Sequence, residues 1–138
     1  DTIITDINTN NGKADGDILI DGGTGFDTIK LEGNNDIDFS KLGDIIKNIE
    51  AIDLTEGDHK LTNISLEDVL KMTDNKKELI IFGDKEDSVT FKKNDGWELK
   101  TENMGKVEGD KTFDVYTNSG DSTVQVKVEQ PISDGITN

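Results

Sequence analysis

The chain has no cysteine and no arginine, one histidine, and only seven aromatic residues among its 138. Without cysteine no disulfide framework can form, and with one imidazole and no thiol a zinc centre is disfavoured. A chain of this length can still bury a core of its own as one domain. A bound metal would be the natural substitute for a missing covalent staple. The basic residues are 15 lysines set against 30 acids, so the net charge is −15. Such a surface repels a phosphate backbone, which excludes nucleic acid as an expected partner. No apolar run approaches the ~18 residues of a membrane span, so membrane insertion is not expected either. The first residues carry no signal-peptide pattern. The chain opens on Asp1 without a methionine, and is expected to be a piece of something longer with neighbouring domains. Catalytic motifs are missing as well: there is no G-x-S-x-G elbow, no H-E-x-x-H and no P-loop. A glycosidase-like carboxylate pair needs a groove and a defined separation, neither of which the sequence defines. The chain is therefore not expected to be an enzyme, and no catalytic residue is assigned.

What the sequence does contain is one intact motif. Gly22-Gly23-Thr24-Gly25-Phe26-Asp27-Thr28-Ile29-Lys30 fits the nonapeptide G-G-x-G-x-D-x-U-x, a calcium-binding β-helix repeat, at every specified position. Its glycines let the backbone turn through positive φ and bring carbonyl oxygens near a cation, and Asp27 can add a carboxylate. Ile29 then points inward as a strand begins. Calcium takes six to eight oxygens, more than one turn supplies, so neighbouring segments must complete the shell. Asp15, Asp17 and Asp21, just upstream, are the candidates. Crowded acids repel one another unless cations sit between them, and the high negative charge is consistent with that need. Solubility is the plainer reading of the same charge.

Asp6, Asn8, Asn10, Gly12 and Asp17 also resemble an EF-hand loop, but the glycine falls one residue late, the last ligand is Asp and a strand follows. Asp15 and Asp17 are read instead as part of the turn before the nonapeptide. Beyond it, Ile29 and Leu31, Ile37 and Phe39, and Ile52 and Leu54 alternate with polar residues, as half-buried strands do. Gly-, Asn- and Asp-rich turns separate them, so each unit is one short strand and one polar turn, a pattern that stacks into a solenoid. Ser65 to Met72 breaks it with a serine cap, an acid three residues on, and Leu66, Val69 and Leu70 at helical spacing. The spacing predicts a short helix that covers apolar strands, with a docking helix as the alternative. Leu79 to Phe82 resumes as a buried strand.

Placing Asp87 on Asp27 sets Gly83 on Gly23, Val89 on Ile29 and Phe91 on Leu31, a degenerate echo of the motif. Asp84 and Asp87 are accordingly candidates for a second calcium site, the alternative being a tight acidic turn between core strands. His59, in a polar turn, is expected at the surface. Trp97 and Tyr116, with Phe113, are read first as core and second as a face for a sugar or peptide. Residues 112–117 and 122–129 alternate strictly around Asn118 to Asp121 and predict a hairpin, with Phe113 and Val115 on one face. Pro131 and Asp134-Gly135 look like an exit into a linker.

The nonapeptide, the preceding Asp17 to Asp21, and the later runs Asn48 to Leu54, Asp68 to Leu70, Leu79 to Asp84 and Asp87 to Phe91, with Trp97 and Tyr116 to Gly120, together resemble the C-terminal region of bacterial RTX adhesins. The likeness spans roughly residues 15 to 130, and the nonapeptide is its specific part. It implies type I secretion in an unfolded state, calcium-driven folding outside the cell, and a role in surface attachment. The resulting expectation is a mostly β fold: calcium-binding parallel β-roll or β-solenoid-like turns with one short helix, closed by a C-terminal antiparallel hairpin. Residues 1–31 would hold the calcium turns, 32–130 a β-rich continuation and cap packed as one unit with them, and 131–138 the exit linker. Calcium is the expected ligand, and a surface glycan or peptide a further possible partner. A calcium-dependent sugar- or peptide-binding module, and the non-catalytic tail of a secreted hydrolase, are the other readings.

Overall fold

The computed structural model describes residues 2–5, 20–31, 36–41, 46–73, 76–101 and 112–136. The described residues are mostly β-strand, with parallel sheets and one α-helix. Three sheets share the strands, and none of them closes into a barrel.

The chain visits the sheets in a fixed rotation. β1 (Thr2–Thr5) lies at one edge of a seven-stranded sheet. β2 (Ile20–Asp21) belongs to a two-stranded sheet, β3 (Thr28–Leu31) to the seven-stranded sheet, and β4 (Ile37–Asp38) to a four-stranded sheet. The circuit then repeats with β5 (Ile46–Lys47), β6 (Ala51–Asp53) and β7 (Lys60–Ile64) in the same three sheets. On the third pass the helix α1 (Leu66–Thr73) packs beside β5, and β8 (Glu78–Phe82) and β9 (Ser88–Phe91) follow in the seven- and four-stranded sheets. Each strand pairs in parallel with its counterpart from the previous pass: Ile29 with Ile52, Ile52 with Ile81, Ile37 with Leu61, Leu61 with Val89.

After β9 the chain departs from the rotation. β10 (Trp97–Thr101), β11 (Phe113–Asn118) and β12 (Asp121–Glu129) all enter the seven-stranded sheet, in the order β8-β12-β11-β10. β11 and β12 are the expected antiparallel hairpin, and β12 returns to pair in parallel with β8. The sheet therefore ends on β10, not on the hairpin. Ser133–Ile136, inside the stretch expected to lead out as a linker, is a further strand, β13, parallel to β9.

The alternation in the sequence explains the burial. Ile29, Leu31, Leu61, Leu79, Ile81, Val89, Phe91, Val124, Val126 and Val128 fall within one apolar cluster that also takes Val69 and Met72 from α1. Ser65 caps α1: its Oγ accepts the Asp68 N–H at 3.1 Å and donates to Asp68 Oδ2 at 2.7 Å. Trp97 and Tyr116 are buried in the core around Phe91, whose ring centroid lies 4.9 Å from Trp97 and 4.2 Å from Tyr116. The indole N–H donates to the Ile64 carbonyl at 2.9 Å, which fixes the ring inside. Phe113 faces the other way, into a small separate cluster with Ala51 and Ile80 and edge-on to Phe82. The hairpin's central face thus belongs to Tyr116 and Asn118, one register position from the face that Phe113 and Val115 mark.

Candidate cation site

Three turns that lead into the seven-stranded sheet stack on one another. Residues 22–27 precede β3, 48–50 precede β6, and Lys76 and Lys77 precede β8. The first is the nonapeptide turn. Gly23 and Gly25 adopt φ of +80° and +95°, a region other residues enter only with strain. Gly22 is needed for space instead, since a Cβ there would run into the Asn48 carbonyl oxygen and stand 2.6 Å from Asp27 Cβ. Asp27 is fully buried under that crossing.

The second turn brings an acid that motif reading passed over. Glu50 is 4% exposed, and its Oε1 accepts the Asp27 N–H at 3.3 Å while its own N–H donates to the Asp27 carbonyl at 3.0 Å. Glu50 Oε2 is buried with no hydrogen-bond partner. The third turn brings a cation: Lys76 Nζ donates to the Gly25 carbonyl at 2.6 Å and lies 2.9 Å from Glu50 Oε1. The Glu50 carboxylate and a glycine carbonyl, from two turns, therefore meet an ammonium from the third, while Asp27 joins Glu50 through its backbone N–H and carbonyl. A sequence signal for Glu50 existed, because it stands immediately before an alternating strand as Asp27 does. Lys76 carried none, since its partners lie 51 and 26 residues away.

Asp21 does not reach this centre. It is exposed, and its Oδ1 accepts the Gly23 N–H at 2.9 Å and the Asn48 amide at 2.7 Å. These bonds, the Asn48 one foremost, hold its carboxyl below the ordinary aspartate range. It ties the first turn to the second. Asp15 and Asp17 lie outside the described residues.

The echo lies at a different corner. Asp84 and Asp87 sit in the turn from β8 to β9, where the chain passes from the seven- to the four-stranded sheet. Asp87 is buried, and its two oxygens accept the N–H groups of His59 and Asp84, each at 2.9 Å. Burial pushes its carboxyl above the usual range, against the pull of those two bonds. Asp84 Oδ1 accepts the Glu86 N–H at 2.9 Å. Here Gly83 plays the part of Gly22, not of Gly23, for a Cβ on it would stand 2.7 Å from Asp87 Oδ2. His59 is buried, contrary to expectation, with Nε2 2.6 Å from the Glu56 carbonyl. This corner works as a backbone clamp.

Among the described residues, no group of three or more His, Asp or Glu side chains converges as a metal cage. The stacked nonapeptide corner fits a hard cation in kind, since it offers the Gly25 carbonyl and the Glu50 carboxylate and already holds an ammonium. In number these donors fall short of a calcium shell. No protein-family model, curated protein or solved structure matches the chain.

Proposed function

We propose that this chain is a calcium-stabilised, β-rich module of an RTX-type extracellular adhesin, built as a solenoid-like stack and extended by its hairpin and β10. The observation that carries the reading is the convergence of the Gly25 carbonyl, at 2.6 Å, and the Glu50 carboxylate, at 2.9 Å, on one cation at an intact nonapeptide turn. The parallel steps of roughly 25 residues support the solenoid part, being of the length that stacked repeats use. Each strand is too short to stand alone, so turn chemistry bears on the stability of the whole stack.

Asp27, Glu50 and the Gly25 carbonyl would hold the ion, with Asp15 and Asp17 as further candidates. Its charge would relieve repulsion between two buried acids, and its binding free energy would add to folding free energy by mass action. The chain's own residues do the rest. Gly22 permits the close crossing, Asp21 and Asn48 fasten one turn to the next, and Asp27 and Glu50 exchange backbone and side-chain bonds across the corner. Secretion by a type I route, a place at the bacterial surface and a role in attachment follow from the family likeness and belong to this proposal. The reading that makes Trp97 and Tyr116 a sugar-binding face loses support, because both rings are inside.

The test compares thermal melting in EDTA and in calcium. Asp27→Asn should abolish most of the calcium-induced rise, while Glu98→Gln, on the exposed side of β10, should retain it. Equal rises in both variants would remove the corner from the account.

A further inference from the structure

A cleft of about 270 Å³ opens where three parallel strands of the four-stranded sheet end. Ser40 follows β4, Asn63 stands near the end of β7 and Lys92 follows β9, while Glu67, Asp68 and Lys71 reach the cleft from α1. The carboxyl ends of parallel strands are also where open α/β sheets place their ligands. The ladder is irregular at this spot. Three steps of β7, from Leu61 to Ile64, face two of β9, from Val89 to Phe91, so β7 carries a bulge. Asn63 within it takes a φ of +57°, and its amide donates to Asp38 Oδ1 at 2.9 Å. Bulges re-aim side chains and recur beside functional sites.

The lining selects the ligand. Lys71 and Lys92 balance Glu67 and Asp68, in a chain that has two acids for each lysine. A ligand of either net charge would therefore meet a like charge on one wall. The helix end offers no anion site, because Asp95 Oδ2 accepts the Leu66 N–H at 2.8 Å and Ser65 Oγ accepts the Asp68 N–H at 3.1 Å. Phe39, which borders the cleft, is 1% exposed and lends almost no apolar surface. Donors and acceptors remain. The exposed Lys92 ammonium has no ion pair with another described residue, the Asn63 amide has engaged one N–H of two, and Asp68 takes the Ser65 hydroxyl on Oδ2, leaving Oδ1. Burial raises the Asp68 carboxyl above the ordinary aspartate range, which marks a group short of water and receptive to a ligand hydroxyl. Hydroxyls both donate and accept, so several on one small frame match this mixture. We propose that the cleft is a calcium-independent binding site for a neutral polyhydroxylated molecule of the size of one sugar ring. Its volume lies just under the ~300–1,000 Å³ of ligand pockets, which suits one ring and not a chain of them. For so small a ligand, a Kd of about 1–10 mM is expected. The site does not rest on the calcium reading above.

The experiment follows backbone amide shifts of the isotope-labelled intact chain by NMR in EDTA, during titration with D-glucose, D-galactose and D-mannose to about 50 mM. D-glucuronate and D-glucosamine, titrated in parallel, test the neutrality of the site. Lys92→Gln removes an exposed ammonium with little bearing on the fold, and Asn63→Gly keeps the left-handed backbone without the amide. Lys100→Gln on β10, outside the cleft, is the control. The expected result is saturable shifts at Ser40, Asn63 and residues 65–71 with at least one neutral sugar. Its Kd should be roughly tenfold higher in Lys92→Gln, higher also in Asn63→Gly, and unchanged in Lys100→Gln. The proposal is overturned if none of the three neutral sugars gives saturable shifts there, or if Lys92→Gln binds as wild type does. Tighter binding of glucuronate or glucosamine than of every neutral sugar would overturn it too. A chain that melts alike with and without calcium would still bind the sugar, so this proposal and the calcium reading fail separately.

Discussion

Removing the Asp87 carboxylate isolates the clamp at the second corner from any metal chemistry at the first. In Asp87→Ala the His59 and Asp84 N–H groups, each held at 2.9 Å, lose their acceptor. His59 is fully buried and its N–H has no route to water, whereas Asp84 is only half-buried. Hydrogen bonds to a charged group contribute about 1.5–3 kcal/mol each. Two of them would give about 3–6 kcal/mol, but Asp84 can recover a water, and burial of the carboxylate, visible in its raised pKa, is itself unfavourable. The lower end, about 3 kcal/mol, is therefore expected, equivalent to a fall of roughly 10 °C in melting temperature for a domain of this size. Asp87→Asn, which keeps one acceptor, should lose about half as much. Thermal melts followed by circular dichroism, run in EDTA and in calcium, would read both variants. The same loss in the two buffers is the expected outcome. A loss below about 1 kcal/mol, or one that appears only when calcium is present, would refute the clamp and restore Asp87 as a ligand.

Acidity should act through β13, which pairs with β9 just beyond the Asp87 turn. Asp134 on β13 accepts the Tyr116 hydroxyl at 2.8 Å and faces Asp114 and Gln130, and burial first, with Asp114 next to it, raises its pKa to about 6. A raised carboxyl pKa means that the folded chain holds the proton more tightly than the unfolded one. Its contribution to stability is present below the ordinary value of 3.8 and is lost as pH rises through about 6. Melting temperature should fall across that window, and Asp134→Asn should flatten the profile. Ser65→Ala removes the α1 cap and should cost about 1 kcal/mol, read as a midpoint shift in urea with unchanged slope.

The elements that could be read locally came through. The Ser65 cap and the 3.6-residue spacing located the helix within a residue, and strict alternation located the hairpin. Period-2 patterns marked Ile29 and Leu31, Ile37 and Phe39, and Ile52 and Leu54 as pairs, and both members of each are inside. What sequence could not supply was which turn stacks on which. Glu50 meets Asp27, and Lys76 meets Gly25, only because three passes of the chain bring their turns to one corner, and nothing in the residues near Lys76 encodes that. The echo at Asp87 was visible as a pattern, yet it falls at the other corner and spends its carboxylate on backbone N–H groups. His59 looked polar and exposed because its neighbours Glu56, Gly57 and Asp58 are exposed, while the ring itself turns back to the Glu56 carbonyl. Asp134 and Gly135 looked like a linker for their turn-forming character, but parallel pairing with β9 gives Ser133–Ile136 a sheet edge to join.

The most direct test of the calcium account is a melting series by circular dichroism, in EDTA and then across calcium up to about 10 mM, the range that covers weak extracellular sites. An ion bound only by the folded chain, with Kd between about 0.1 and 1 mM, adds about 1.4–2.7 kcal/mol at the top of that series. The melting temperature should then rise by roughly 5–10 °C, with little response to magnesium. A melting curve that does not move with calcium would contradict the account. The nonapeptide corner would then be a turn held by Lys76 alone.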